Sequence, residues 1–94
     1  MQSESRWYVY ILQCADQSLY TGITNHLEQR LCAHNAGKGA KYTKGRGPVH
    51  LLYWEECEDK SAALRREAAI KRLKRAEKLL LCSTAEKEQS VLRK

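Results

Sequence analysis

Residues 7–23 read Trp7-Tyr-Val-Tyr-Ile-Leu-Gln-Cys-Ala-Asp-Gln-Ser-Leu-Tyr-Thr-Gly-Ile23. Val9 to Leu12 and Leu19 to Thr21 form two short runs of β-branched, aromatic and large apolar residues. The polar stretch Ala15-Asp16-Gln17-Ser18 separates them, which predicts a β-hairpin. If Gln13 pairs with Leu19, period-2 alternation puts Tyr10, Leu12, Tyr20 and Gly22 on one face. Tyr10 then lies diagonal to Tyr20 and directly opposite Gly22. Because Gly22 has no side chain, room is expected above Tyr10 for a ligand or another backbone.

Outward from the hairpin, residues 1–6 are polar and expected to fray. On the other side, Asn25 followed by Glu28 reads as a capping box, and Leu27 to Ala36 reads as a helix stopped by Gly37. Leu27, Arg30, Leu31 and His34 share one face of that helix at i, i+3, i+4, i+7 spacing, so Arg30 and His34 sit on or at the edge of its inward side. Taken singly, a snorkelling arginine and a satisfied core histidine explain them. Ala36 to Pro48 holds four of the five glycines and no large aliphatic residue, hence a loop. Lysines interleaved with Tyr42 in it make a surface for tracking a phosphate backbone and stacking bases. Its glycines do not match a phosphate-cradling nucleotide motif, so no nucleotide cofactor is expected.

Val49 to Trp54 reads as a third strand. Glu55, Glu56, Glu58 and Asp59 follow as an acidic cluster that complements the dipole of the next helix, with Asp59 as its cap. That helix is expected over Lys60–Leu73, with a thin apolar side of Ala63, Leu64, Ile70 and Leu73. Glu67 projects along this stripe, where a lone carboxylate needs a partner, either Arg30 or a lysine, or else a metal ion. Arg75 to Leu81 reads as a short last helix with Leu79, Leu80 and Leu81 closing the core. Residues 83–94 read as a polar tail.

The chain has 94 residues, enough for one domain, placed at 7–82, with a single compact core. No basic n-region precedes an apolar run, and no run approaches the ~20 residues of a membrane span, so a cytoplasmic protein with no membrane partner is expected. Cys14, Cys32, Cys57 and Cys82 contain no Cys-x-x-Cys pair, which points to reduced buried thiols rather than a zinc or disulfide framework. The net charge is +6, and residues 60–78 carry all of it, with eight Lys/Arg against two Glu. Lys38, Lys41, Lys44 and Arg46 add a second basic patch. Such patches attract polyanions, nucleic acid first.

Tyr10, Tyr20, Arg30, His34 and Glu67 together contain what metal-assisted phosphodiester hydrolysis needs: proton transfer, phosphate charge stabilisation and a cation ligand. Tyr8-Val9-Tyr10 and Tyr20-Thr21-Gly22, with Arg30, His34 and Ala63-Leu64-Arg65-Arg66-Glu67 beyond them, resemble the paired signatures of the GIY-YIG nuclease superfamily. Tyr20-Thr-Gly-Ile-Thr and Gly37-Lys-Gly-Ala-Lys-Tyr-Thr are similar to its small stand-alone bacterial, YhbQ-like branch.

The resemblance implies an α+β fold, a small three-stranded antiparallel sheet flanked by about three helices. It also implies a DNA endonuclease, structure-selective or weakly sequence-specific, whose alternative is a non-catalytic module binding DNA or RNA. By resemblance, Tyr10 is the general base, Tyr20 contacts base or scissile phosphate, Arg30 stabilises phosphate charge and His34 assists proton transfer or binds phosphate. Glu67 holds one divalent metal, Mg²⁺ or Mn²⁺. Lys38, Lys41, Tyr42, Lys44, Arg46, Arg65, Arg66 and Lys71 are the candidate nucleic-acid contacts. Three positions depart from the family pattern: Tyr8 replaces the first signature glycine, Ile23 replaces a lysine, and no asparagine follows Asn35.

Overall fold

The computed structural model describes residues 6–39, 45 and 47–92, with side chains up to residue 83. Three strands and three helices follow in the order β1 (Trp7–Gln13), β2 (Leu19–Thr24), α1 (Leu27–Asn35), β3 (His50–Cys57), α2 (Lys60–Lys71) and α3 (Arg75–Leu92). The strands make one antiparallel sheet in the order β2-β1-β3, so the most apolar strand is central.

The hairpin register is the one that alternation predicts, with Gln13 opposite Leu19 and Tyr10 opposite Gly22. Its turn closes through hydrogen bonds from Cys14 N to Ser18 O (2.9 Å) and Gln17 N to Cys14 O (2.8 Å), with Gln17 in the left-handed region at φ 73°. Asp16 holds the turn by accepting from Ser18 N and Ser18 Oγ. Between β1 and β3 the register slips after Ile11, so that Ile11 faces Tyr53 while Leu12 faces Leu51. The extra residue, Leu52, lets Leu52 and Tyr53 both pack on the same side of the sheet.

The expectation of a single core is corrected, because both sheet faces are covered and the core is split in two. On one face Val9, Ile11 and Tyr53 pack with Ala63 and Ile70 of α2 and Cys82 of α3. On the other, Tyr10, Leu12, Cys14 and Val49 pack with Leu27 and Leu31 of α1. The thiols are free, but Cys32 is exposed rather than buried. Among the described residues no helix is long and apolar enough to cross a membrane.

Several boundaries differ from the sequence expectation. Asn25 and Glu28 form no capping box: His26 occupies the cap position without a side-chain bond, and Thr24 Oγ1 instead accepts from His26 N at 3.0 Å. Gly37 does end α1, at φ +80°, with Gly37 N bonded to His34 O and Lys38 N to Ala33 O. These two bonds satisfy carbonyls that the last helical turn leaves open. Asn35 spans from there to the start of β3, accepting from Val49 N at 2.7 Å and reaching Val49 O at 3.4 Å.

Glu55 and Glu56 belong to β3 rather than to the approach of α2, and arginines neutralise them. Glu55 accepts from Arg66 Nε at 2.6 Å and from the Tyr53 hydroxyl at 2.9 Å, while Glu56 pairs with Arg6. Burial and the Glu55 bond push the Tyr53 phenol up to about 12. Asp59 caps α2 as expected, accepting from Ala62 N at 2.9 Å.

The inner stripe of α2 is Ala63, Arg66, Glu67 and Ile70; Leu64, expected inside, is 46% exposed. In α3 the core is closed by Leu81 and Cys82, whereas Leu79 and Leu80 lie on the exposed side. This helix continues to Leu92, through most of the stretch that reads as a tail.

Candidate functional site

Tyr10 comes from the central strand and Tyr20 from its hairpin partner, one pleat away on the same face, with ring centroids 6.3 Å apart. Helix α1 crosses this face and brings His34 to 5.9 Å from the Tyr10 ring and 5.4 Å from the Tyr20 ring. Tyr10 and His34 are 2% and 1% exposed, and the Tyr10 hydroxyl lies 3.0 Å from His34 Nε2. With the imidazole proton on Nδ1, the phenol donates and Nε2 accepts.

The charges of Arg30 and Glu67 both act on Tyr10. Burial raises the phenol above its ordinary value of 10.0; a hydrogen bond from Arg30 opposes the rise, while Tyr20 and Glu67 add to it. Burial and the positive charge of Arg30 lower His34 below 6.5. The pair at neutral pH is therefore a protonated phenol beside a neutral imidazole, hydrogen-bonded to each other, and only added positive charge such as that of Arg30 favours the phenolate.

Of the five polar side chains selected from the sequence, Tyr10, Tyr20 and His34 are in direct ring contact, while Arg30 and Glu67 bear on the Tyr10 phenol through their charges, Glu67 from α2 and most weakly. Two glycines make the contacts possible. A Cβ on Gly22 would stand 2.7 Å from the Tyr10 hydroxyl oxygen, so the expected room above Tyr10 is filled by the Tyr10 ring itself rather than left open for a ligand. A Cβ on Gly39 would stand 2.3 Å from His34 Nδ1. The importance of Gly39, which backs the imidazole, was hidden in a loop full of glycines. Its only signal is the Gly37-Lys38-Gly39 spacing one turn after His34.

Glu67 has a lysine partner: its carboxylate is 3.2 Å from Lys71 Nζ, with the Glu67 side chain 18% exposed and that of Lys71 54% exposed. Among the described residues no three His, Cys, Asp or Glu side chains gather to form a metal cage. A largely buried hard oxygen donor paired with an exposed lysine suits Mg²⁺ or Mn²⁺, which Glu67 would hold through its carboxylate.

Of the candidate nucleic-acid contacts, Lys38 is exposed at the end of α1, while Arg65 bonds Ser61 Oγ at 2.9 Å and Lys71 pairs with Glu67. Arg66 is turned to structural use by Glu55. Lys41, Tyr42, Lys44 and Arg46 lie outside the described residues.

The sequence matches the GIY-YIG catalytic domain over residues 6–79. A UPF0213 protein of Oceanobacillus iheyensis is 55% identical over 85 residues, 90% of this chain and 99% of the relative. A UPF0213 protein of Clostridium perfringens is 61% identical over 77 residues, 82% and 83% of the two chains. The solution NMR structure of a UPF0213 protein from Bacillus halodurans superimposes with a TM-score of 0.55 at 46% identity, covering 84% of each chain.

Proposed function

The chain belongs to the GIY-YIG family, part of a nuclease superfamily, and from that premise we propose that it is a divalent-metal-dependent DNA endonuclease with Tyr10, Tyr20, Arg30, His34 and Glu67 as its site. The observation that carries this is the Tyr10–His34 hydrogen bond, with Arg30 and Glu67 both acting on the same phenol.

Tyr10 cannot take a proton from water while its own phenol is protonated. Neutral His34, 3.0 Å away, is placed to receive that proton, leaving the phenolate oxygen to deprotonate the attacking water. Arg30 holds the phenolate and the added negative charge on the phosphorus oxygens. Tyr20 flanks the pair and orients the phosphate or an adjacent base. Glu67 would hold Mg²⁺ or Mn²⁺, which would supply charge neutralisation at the phosphodiester. So small a domain has few elements for reading base edges, which favours structure-selective or weakly sequence-specific cleavage.

Purified protein incubated with single-stranded, duplex and branched DNA, with Mg²⁺, Mn²⁺ or chelator, tests the proposal. Cleavage that needs the metal and disappears in Glu67→Ala is expected. Identical products from wild type and Glu67→Ala on every substrate overturn the assignment. The Glu67–Lys71 ion pair favours a second reading, a non-catalytic nucleic-acid-binding module in which the lysine alone satisfies the acid. It predicts salt-sensitive binding that Glu67→Ala leaves intact, and no cleavage with any metal.

A further inference from the structure

Two clefts meet over the first turn of α1. One, of about 480 Å³, has Tyr8, Trp54 and Glu28 in its wall; the other, of about 260 Å³, has Thr24 and Arg30. Asn25, His26 and Gln29 line both, so the two are one groove running from an aromatic end to Arg30 of the candidate site. Resting on the nuclease reading, we propose that the aromatic end is a subsite for one unpaired nucleobase of the DNA substrate. The base stacks on Tyr8 or Trp54, and its backbone leads toward Arg30.

The walls differ in what they accept. Tyr8 and Trp54 meet edge to face, with centroids 5.9 Å apart and planes at 72°, so the ring that contributes its edge keeps its faces clear of the other. Both are only partly buried. Glu28 beside them repels phosphate but accepts hydrogen bonds from the exocyclic amino groups of bases. The amides of Asn25 and Gln29 can each donate and accept along a base edge. At the other end the wall carries Arg30, whose guanidinium attracts phosphate. The groove is thus polarised, base at one end and backbone at the other.

Spacing agrees with this polarity. Tyr8 and Tyr10 lie two residues apart on the same strand face, about 6.8 Å, or about two stacking steps of ~3.4 Å. A base on Tyr8 therefore belongs to a nucleotide one or two steps from the phosphate at Tyr10. A paired base has both faces covered by its neighbours, so the subsite selects unpaired strand. Tyr8 occupies the position of the first signature glycine, and a glycine there would leave Trp54 without its ring partner.

Binding measured by fluorescence anisotropy in chelator, where no cleavage intervenes, tests the subsite on the wild-type chain. A short single strand is compared with an abasic strand carrying the same number of phosphates, and a strand with 5-bromouracil is photocrosslinked and the adduct mapped. We expect the abasic strand to bind about tenfold more weakly, the crosslink to fall on Tyr8 or Trp54, and Tyr8→Ala but not Tyr8→Phe to reproduce the loss. Equal affinity for the two strands, or a crosslink only elsewhere, overturns the inference. A protein that crosslinks at Tyr8 and cuts nothing keeps the subsite and loses the nuclease reading. One that cuts DNA without any dependence on the base loses the subsite alone.

Discussion

The two faces of β1 are built from the same four-residue run, Val9 to Leu12, and differ in what they bury. Val9 and Ile11 point to the side of α2 and α3, where the buried residues are almost all apolar. Tyr10 and Leu12 point to the side of α1, where a phenol and an imidazole are as deeply buried as the aliphatics around them. Burial on the first face converts directly into stability, at about 25 cal/mol per Å² of apolar surface. On the second, burial also raises the Tyr10 phenol and lowers the His34 imidazole, which keeps both groups neutral and joined by a hydrogen bond at neutral pH. A central strand flanked on both sides can therefore bury purely apolar contacts through Val9 and Ile11 and a polar hydrogen-bonded pair through Tyr10.

Substitution should separate the two. Tyr10→Phe keeps the ring and removes the hydroxyl, so the fold should persist while cleavage falls roughly 10²- to 10⁴-fold, the usual share of a general base. Single-turnover kinetics with a plasmid or oligonucleotide substrate measure it. Ile70→Ala, on the opposite face, should do the reverse: a loss of about 2–5 kcal/mol in urea unfolding, with single-turnover cleavage at low temperature close to wild type in the folded fraction.

Acidification sharpens the contrast on the α1 face alone. His34 has a lowered pKa in the folded protein, so below pH 6.5 the unfolded chain binds its proton first. The stabilisation from keeping the ring neutral is complete above pH 6.5 and is lost as the pH falls toward the folded value. Tyr10, Tyr20 and Arg30 are the groups facing the ring. Cleavage should fall over the same range, because a protonated imidazole cannot accept from Tyr10. A His34→Gln variant should flatten the stability profile between pH 5 and 7.

The smallest expected effect lies on the α2 face. Thr21, which pairs with Ile11, has a buried hydroxyl with no hydrogen-bond partner. Thr21→Val exchanges that orphan for a methyl group of like shape and should raise the unfolding free energy by about 1 kcal/mol. Thermal unfolding of the two proteins compares them.

What could be read from the sequence was whatever a single period governs. Alternation by two fixed the Tyr10–Gly22 pairing, and the i, i+3, i+4, i+7 spacing put His34 beside the tyrosines. Features settled by partners distant in sequence were hidden. Glu55 and Glu56 look wrong for a strand until Arg66 and Arg6 arrive to pair with them. The bulge at Leu52 depends on how β3 meets β1, which no local pattern encodes.

The extent of α3 was missed for another reason. Its second half is polar but consists largely of Ala, Glu, Lys and Gln, good helix formers that need no buried face to continue a helix already begun. Leu64 and Leu80 went the other way, since an apolar residue at a plausible phase is not obliged to be inside.

Asn35 grips both backbone groups of Val49, so the chain leaves α1 and re-enters the sheet through one side-chain clasp. Whatever lies between Gly39 and Gly47 is spanned by fixed endpoints, and doubling its length adds only about 0.6 kcal/mol of closure entropy. The segment is in effect a replaceable cartridge, whose sequence and length can be exchanged at little cost to the fold that the clasp closes.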